Sequence, residues 1–156
     1  MSTNITPATL TVTVTEAISL NGQDKGSTNS LTIASVTEVS QRIVEVPTSE
    51  VIILAFQATT PGAGTFDEAD VRYIRITNLD DTNFVQLTFR SESNNECAHK
   101  LDAGQTFIYA ADNSGGVVDT HDASASALSV SFDDLVDITA LADTAACDVE
   151  TFVAGV

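Results

Sequence analysis

Between Leu10 and Leu20 the chain alternates. Leu10, Val12, Val14, Ile18 and Leu20 share one parity, and Thr11, Thr13, Thr15 and Ser19 take the other. A period of two sustained over eleven residues specifies extended backbone with one apolar face, that is, a half-buried strand. Threonine and valine reinforce the choice, because β-branched side chains suit a pleated surface. Glu16 interrupts the apolar parity, which predicts a bulge or a strand leaving the core at that point.

The same grammar continues. Asn21–Ser30 reads as a turn or loop, with Gly22 and Gly26 available for positive φ. Leu31–Val46 reads as one long bent strand or two short ones, because its apolar residues change parity at Val36, as in a bulge or a strand switching sheets; Pro47 ends it. Val51–Ala58 is apolar on both parities, so both its faces are expected to be covered, one of them by a partner subunit. Thr59–Ala69 reads as an acidic loop. Val71–Thr77 and Phe84–Arg90 are expected to pair as a hairpin around Asn78–Asn83, and Cys97–Leu101 and Thr106–Ala110 as another around Asp102–Gln105, with Ser91–Glu96 a polar loop between them. Asp112–Ser126 is the longest irregular stretch, after which Leu128, Val130 and Phe132 alternate again. Leu135–Leu141 and Val149–Val153 suggest a closing hairpin around Asp143–Cys147, with a short helix over Asp133–Ala142 as the competing reading. Eight or nine short strands without a long helical pattern imply an all-β fold. The expectation is a single domain over residues 1–156, an antiparallel β-sandwich of about eight strands, jelly-roll-like.

A chain of 156 residues is long enough for its own core, and its 6 Lys+Arg against 22 Asp+Glu give a net charge of −16. Binding a phosphate backbone needs cations to displace counterions. The cations are Lys25, Arg42, Arg72, Arg75, Arg90 and Lys100 alone, so neither nucleic acid nor an anionic membrane is an expected partner. The start MSTNITPATL predicts no secretory signal, and the longest apolar run, Val51–Phe56, is far short of the roughly 18 residues of a membrane span. Cytoplasmic synthesis with reduced thiols follows as the expectation, which leaves the Asn4-Ile5-Thr6 sequon without meaning; Cys97 and Cys147 could form one bridge at most.

Reactive constellations are sparse. Cys97 and His99 share a strand face, but a zinc site needs two further ligands, and only Cys147 and His121 remain as candidates. A Cys–His nucleophile pair lacks the helix N-terminus or other context that lowers a thiol pKa. Asp80-Asp81-Thr82-Asn83 and Asp119-Thr120-His121-Asp122 offer the oxygen ligands Ca²⁺ prefers, though such turns commonly cap their own backbone. Gly62–Gly64 and Gly115–Gly116 are not followed by the Lys-Ser/Thr of a phosphate loop. The expectation is therefore no enzyme, no cofactor and no metal. Charge is segregated instead: Leu101–Val156 holds ten carboxylates and no Lys or Arg. That is either a solvated acidic surface or one half of a head-to-tail contact with the Arg72, Arg75 and Arg90 region of a neighbour. On the strand, Arg72 shares a face with Ile74 and Ile76, Arg75 points the other way, and Arg90 can snorkel from the core edge.

YIRITNLDDTNFVQLTF (Tyr73–Phe89) followed by HKLDAGQTFIY (His99–Tyr109) resembles a pattern in small virion structural proteins of tailed bacteriophages. In that pattern a strand ending I-x-N-L precedes an Asn/Asp turn, a strand F-V-x-L, and then L-x-A-G-x-x-F-x-L/Y. The upstream LNGQDKGSTNSLTIASVTEVSQRIVEVPTSE is similar too, so the likeness spans most of Leu20–Ala110, with an echo in DVETFVAG. The resemblance implies a β-sandwich subunit present in many copies on the particle, with no catalytic residues to transfer. The expected role is a capsid decoration or cement protein on the outer capsid surface, binding the major capsid protein and copies of itself as a homo-oligomer such as a trimer. Its expected interface comprises Val51, Ile52, Ile53, Leu54 and Phe56 together with Arg72, Arg75 and Arg90. The rival expectations are a tail or head–tail connector component and a carbohydrate-binding module.

Overall fold

The computed structural model describes residues 4–57, 65–110 and 134–156, and the regular structure among them is all strand. In chain order the strands are β1 (Ala8–Glu16), β2 (Ser19–Leu20), β3 (Gln23–Asp24), β4 (Ser27–Val36), β5 (Glu38–Val46), β6 (Val51–Gln57), β7 (Thr65–Asp67), β8 (Val71–Asn78), β9 (Val85–Ser91), β10 (Glu96–Leu101), β11 (Thr106–Ala110), β12 (Leu135–Ala142) and β13 (Cys147–Gly155). Two sheets form the body, ordered β10-β9-β12-β6-β7 and β11-β8-β13-β5. If β7 is set aside and the eight longer strands are counted from β5, these orders read 5-4-7-2 and 6-3-8-1. That is the doubled Greek key of a jelly roll.

The sandwich forms because each sheet has one apolar parity to bury. Ile74, Ile76, Val149 and Val153 from one sheet meet Leu54, Phe56, Leu87, Phe89, Ile138 and Ala140 from the other in one buried cluster. Ring contacts help to close it, with Phe89 and Phe107 centroids 5.1 Å apart across the sheets.

Topology overturns the three hairpins expected from sequence. β8 and β9 lie in different sheets, as do β10 and β11, and β12 and β13. Each of these connections is an arch over the core. The reason is that two strands with the same alternation can bury their apolar faces side by side or face to face, and alternation alone does not distinguish the arrangements. The actual tight hairpin of the body is β9–β10, closed at Ser91–Glu96 by hydrogen bonds from Ser91 N to Asn95 O and from Asn94 N to Ser91 O. The competing helix over the start of the last third is also excluded from Leu135 onward, since β12 is a strand paired on both sides.

Two further expectations change. The apolar run of β6 does not need a partner to cover a second face. In the ladder with β12, Leu54 faces Ile138 and Ile52 faces Thr139, so Ile53 is an extra, bulged residue. The bulge turns Ile53 and Leu54 inward together, and both are buried. The stretch expected as loop up to Ala69 contains β7, a parallel addition to β6, anchored by buried Phe66 against Phe56 at 6.4 Å. The irregular segment from Asp112, the alternation at Leu128–Phe132, and His121 lie outside the described residues.

The opening strand departs furthest from expectation. Among the described residues β1 pairs with β4 alone, as a two-stranded ribbon set apart from both body sheets. Its base packs on the outer face of the β8–β13 pair, where Ile33 and Val36 are buried with Tyr73 and Ala154, flanked by Leu10, Val12 and Leu31. Further out the apolar parity faces solvent, with Val14, Ile18 and Leu20 at 45, 54 and 58% exposure. Thr13–Ser30 is exposed throughout, apart from partly covered Gly26. The end is closed by Asn21-Gly22, both at positive φ (52° and 76°), the two-residue turn for which Asn-Gly is the strongest short-range signal. Gly26 is required for a different reason, because a Cβ there would collide with the Glu16 carbonyl oxygen. The long stretch from Leu31 to Val46 is resolved as β4 and β5, which belong to different sheets and are separated at Thr37, next to Ser35 with φ 62°.

Candidate functional site

The residues expected at an interface are scattered by the fold. On β6, Ile53, Leu54 and Phe56 belong to the core and Val51 packs against it; Ile52, at 57% exposure, is the large apolar side chain of that strand left facing solvent. The three arginines do not converge either. Arg72 is buried and donates from Nη1 to the carbonyls of Ala69 and Val71. Arg90 makes a bidentate pair with Asp137 across the β9–β12 ladder, Nε to Oδ1 and Nη2 to Oδ2, each 2.7 Å. Arg75 reaches Glu150 Oε2 at 2.6 Å, and its guanidinium lies 5.8 Å from the centre of the Phe152 ring. These cations serve the chain's own acids and carbonyls, so an acidic neighbour has little to gain from them.

Glu150 also accepts a hydrogen bond from Gln41 Nε2 at 2.6 Å; this bond and then Arg75 hold its carboxyl below the usual carboxylate range. A depressed pKa in the folded state means stability that is present above the unfolded-state value of about 4.3 and lost as pH falls through the lower folded value. Glu150→Gln is therefore expected to unfold at lower urea concentration than the parent at neutral pH. The gap should narrow as pH falls below the unfolded-state value and close once it is below the lowered folded value, where the carboxyl is protonated in both states. A gap that is unchanged on acidification would refute the assignment.

The metal candidates separate as well. Cys97 is exposed on β10 and Cys147 is buried at the start of β13, both as free thiols. Burial, followed by nearby Asp80, pushes the Cys147 thiol up, the opposite of an activated nucleophile. His99 stacks beside Phe107 at 5.2 Å and lines a shallow, largely apolar notch of about 210 Å³ with Phe89, Cys97, Ala98 and Tyr109, between the edge strands β10 and β11. In the Asp80–Asn83 turn, Asp80 Oδ1 accepts from the backbone N–H groups of Thr82 (2.8 Å) and Asn83 (2.6 Å). These two bonds lower the Asp80 pKa, so its carboxylate is engaged in capping its own turn. The Asp119–Asp122 turn lies outside the described residues.

One convergence escaped the sequence. Glu68, Glu92 and Asp134 bring carboxylate oxygens within 4.8 Å of one another, from three segments far apart in the chain. No local spacing advertises it, because the jelly-roll crossings alone bring those turns together. Exposed carboxylates in an acidic chain often cluster this way without a cation.

The feature that stands apart is the ribbon. It combines an exposed aliphatic parity with a hydroxyl-rich opposite face, where Thr13 and Ser30 are hydrogen-bonded at 3.1 Å across the strands and Thr28 donates to Thr15 at 3.3 Å. Its residues carry little charge: through Val36 the chain has Glu16, Asp24 and Lys25. Sequence reasoning found the strand pattern and mistook the place, because an apolar parity has the same spacing whether it faces a core or a partner.

No protein-family model matches the chain, and a search of curated proteins returns no match. The class established by the fold is thus an acidic all-β jelly-roll sandwich with a projecting β-ribbon.

Proposed function

We propose that the chain is a non-enzymatic structural protein of a tailed-phage virion, a decoration or cement subunit that binds the major capsid protein on the outer lattice and stabilises it. The observation that carries the reading is an acidic jelly-roll body bearing a projecting ribbon on which Val14, Ile18 and Leu20 are exposed. Jelly rolls recur in viral capsid domains, an analogy of fold that adds to the resemblance of Tyr73–Tyr109. A charge of −16 favours the outer surface, since packaged DNA repels such a subunit. The stabilisation needs no chemistry, because a ligand that binds only the assembled lattice shifts assembly by mass action.

A tail or connector ring is the second reading, favoured by the ribbon as an element able to reach a neighbour heterologously. A carbohydrate-binding role has less support: Tyr73 is 5% exposed and Tyr109 packs against the core, so neither presents a free stacking platform.

Cryo-imaging of particles tests the placement. Hundreds of copies on capsid faces are expected, and six or twelve copies on the tail axis would overturn the cement role. Particles lacking the subunit should release DNA at a temperature lower by several degrees, and an unchanged release temperature counts against clamping.

A further inference from the structure

We infer that Asn21-Gly22, at the tip of the ribbon, is a site of spontaneous modification, where the Asn21 side chain cyclises onto the main chain and is converted to aspartate and isoaspartate. The inference concerns the chain itself and does not rest on the virion role.

The reaction needs an unshielded nitrogen directly after an asparagine. The Gly22 nitrogen attacks Asn21 Cγ: the N–Cγ bond forms and the Cγ–Nδ2 bond breaks. Solvent base takes the proton from the Gly22 N–H, a proton is returned to Nδ2, and Nδ2 leaves as ammonia. Water then opens the cyclic imide at either carbonyl. One opening yields aspartate and the other isoaspartate, whose main chain runs through Cγ. Nucleophile and carbonyl belong to adjacent residues, so closing the five-membered ring has the rate advantage of an intramolecular step. Glycine has no Cβ to shield its nitrogen. Of the eight asparagines in the chain, Asn21 alone precedes a glycine.

The structure narrows the choice further. Asn21 and Gly22 are exposed, and a Cβ at Gly22 would meet nothing within 4 Å. Ladder pairing ends at Leu20 and Gln23, so the Gly22 N–H lies outside it. Other carboxamides are engaged: Asn78 is fully buried with Nδ2 on two carbonyls, and Asn83 Oδ1 accepts from Thr144 Oγ1 at 2.7 Å. The closed turn resists the reaction, because the five-membered ring holds the Asn21 backbone outside the conformation of a tight hairpin turn with both φ positive. Reaction therefore proceeds from the opened turn. Opening breaks only the Ser19–Asp24 and Leu20–Gln23 pairs and the bond from Lys25 N to Ile18 O, all at exposed positions. Short, solvent-accessible ladders of this kind occupy the low end of local stability.

The products alter the ribbon. Isoaspartate adds a main-chain atom, so a two-residue turn no longer closes Leu20 on Gln23, and either product places a new carboxylate three residues from Asp24. The β2–β3 pairing should be lost, whereas the ribbon base, where Ile33 and Val36 are buried with Tyr73 and Ala154, should be kept.

Incubation of the purified full chain in mildly alkaline buffer, followed by peptide mapping with fragmentation that distinguishes isoaspartate, tests this. Both products are expected at position 21 before Asn78 or Asn83 reacts, at a rate within tenfold of the same chain unfolded in urea. Gly22→Ala should slow the reaction at least tenfold, even though the positive φ strains alanine there and favours opening of the turn. Persistence of Asn21 in the folded chain while it reacts in urea would show that the turn protects it, and overturns the inference. Reaction of Gly22→Ala at the parent rate, or earlier modification of Asn78 or Asn83, overturns it equally.

Discussion

Asn78→Ala should lower stability by about 3 kcal/mol, which for a domain of this length is about 10 °C in melting temperature. Asn78 ends β8 with no exposed surface, although its side chain is polar. Its Nδ2 donates to the carbonyl of Asn83 at 2.9 Å and to that of Leu101 at 3.2 Å, and its Oδ1 accepts from Asp80 N at 3.0 Å. One side chain thereby ties the arch between β8 and β9 to the end of β10, and its own N–H is bonded to Gln105 O at the turn before β11. Truncation strands three main-chain groups in a place already desolvated, each costing about 1–3 kcal/mol before water relieves part of it. Asn78→Asp is the sharper variant. It keeps the shape but aims an oxygen at two carbonyl oxygens, so it should be at least as damaging as alanine. A neutral Asn78→Asp in urea unfolding would show that the network does not hold the arches. In the stretch Ile76-Thr77-Asn78-Leu79 the Asn thus places a buried donor between two crossings from one sheet to the other.

Ile138→Ala is expected to cost a similar amount, about 3–4 kcal/mol, by another mechanism. Ile138 is fully buried at the middle of β12, opposite Phe89 on one side and Leu54 on the other. Removing its branched end loses transfer free energy and leaves a cavity that two flanking ladders prevent from closing. Ile52→Ala, on the neighbouring strand but facing solvent, should stay within about 0.5 kcal/mol. The contrast between two isoleucines on adjacent strands, read as midpoints in one denaturant series, tests the facing of β6 and the bulge that sets it. Equal losses at the two positions would place Ile52 inside and remove the bulge from the account.

Much of the fold was legible in the sequence. Strand-only architecture, the two-layer sandwich and the jelly-roll class followed from short β-branched runs, turn residues and the lack of helical spacing. Within β8, parity put Ile74 and Ile76 on one face, and both side chains lie in the core. At β6 the double apolar parity was a true signal with the wrong cause, since one bulged residue accounts for it more cheaply than a missing partner. Less of the candidate site could be read. Arg72, Arg75 and Arg90 are conspicuous among so few cations, and nothing local reveals that Ala69, Glu150 and Asp137 engage them.

By itself the chain of residues determined that the regular elements would be mainly extended, with one short helix left open over Asp133–Ala142, which side of most strands would be apolar, and how negative the chain would be, because period, β-branching and charge are local quantities. Tertiary structure alone decided which strands lie side by side and which face each other across the core, and that the first strand leaves the sandwich as half of a ribbon. The physical reason is that alternation specifies that a face must be buried and is silent on what buries it; long-range pairing supplies the partner, and for the outer ribbon no part of the described body does.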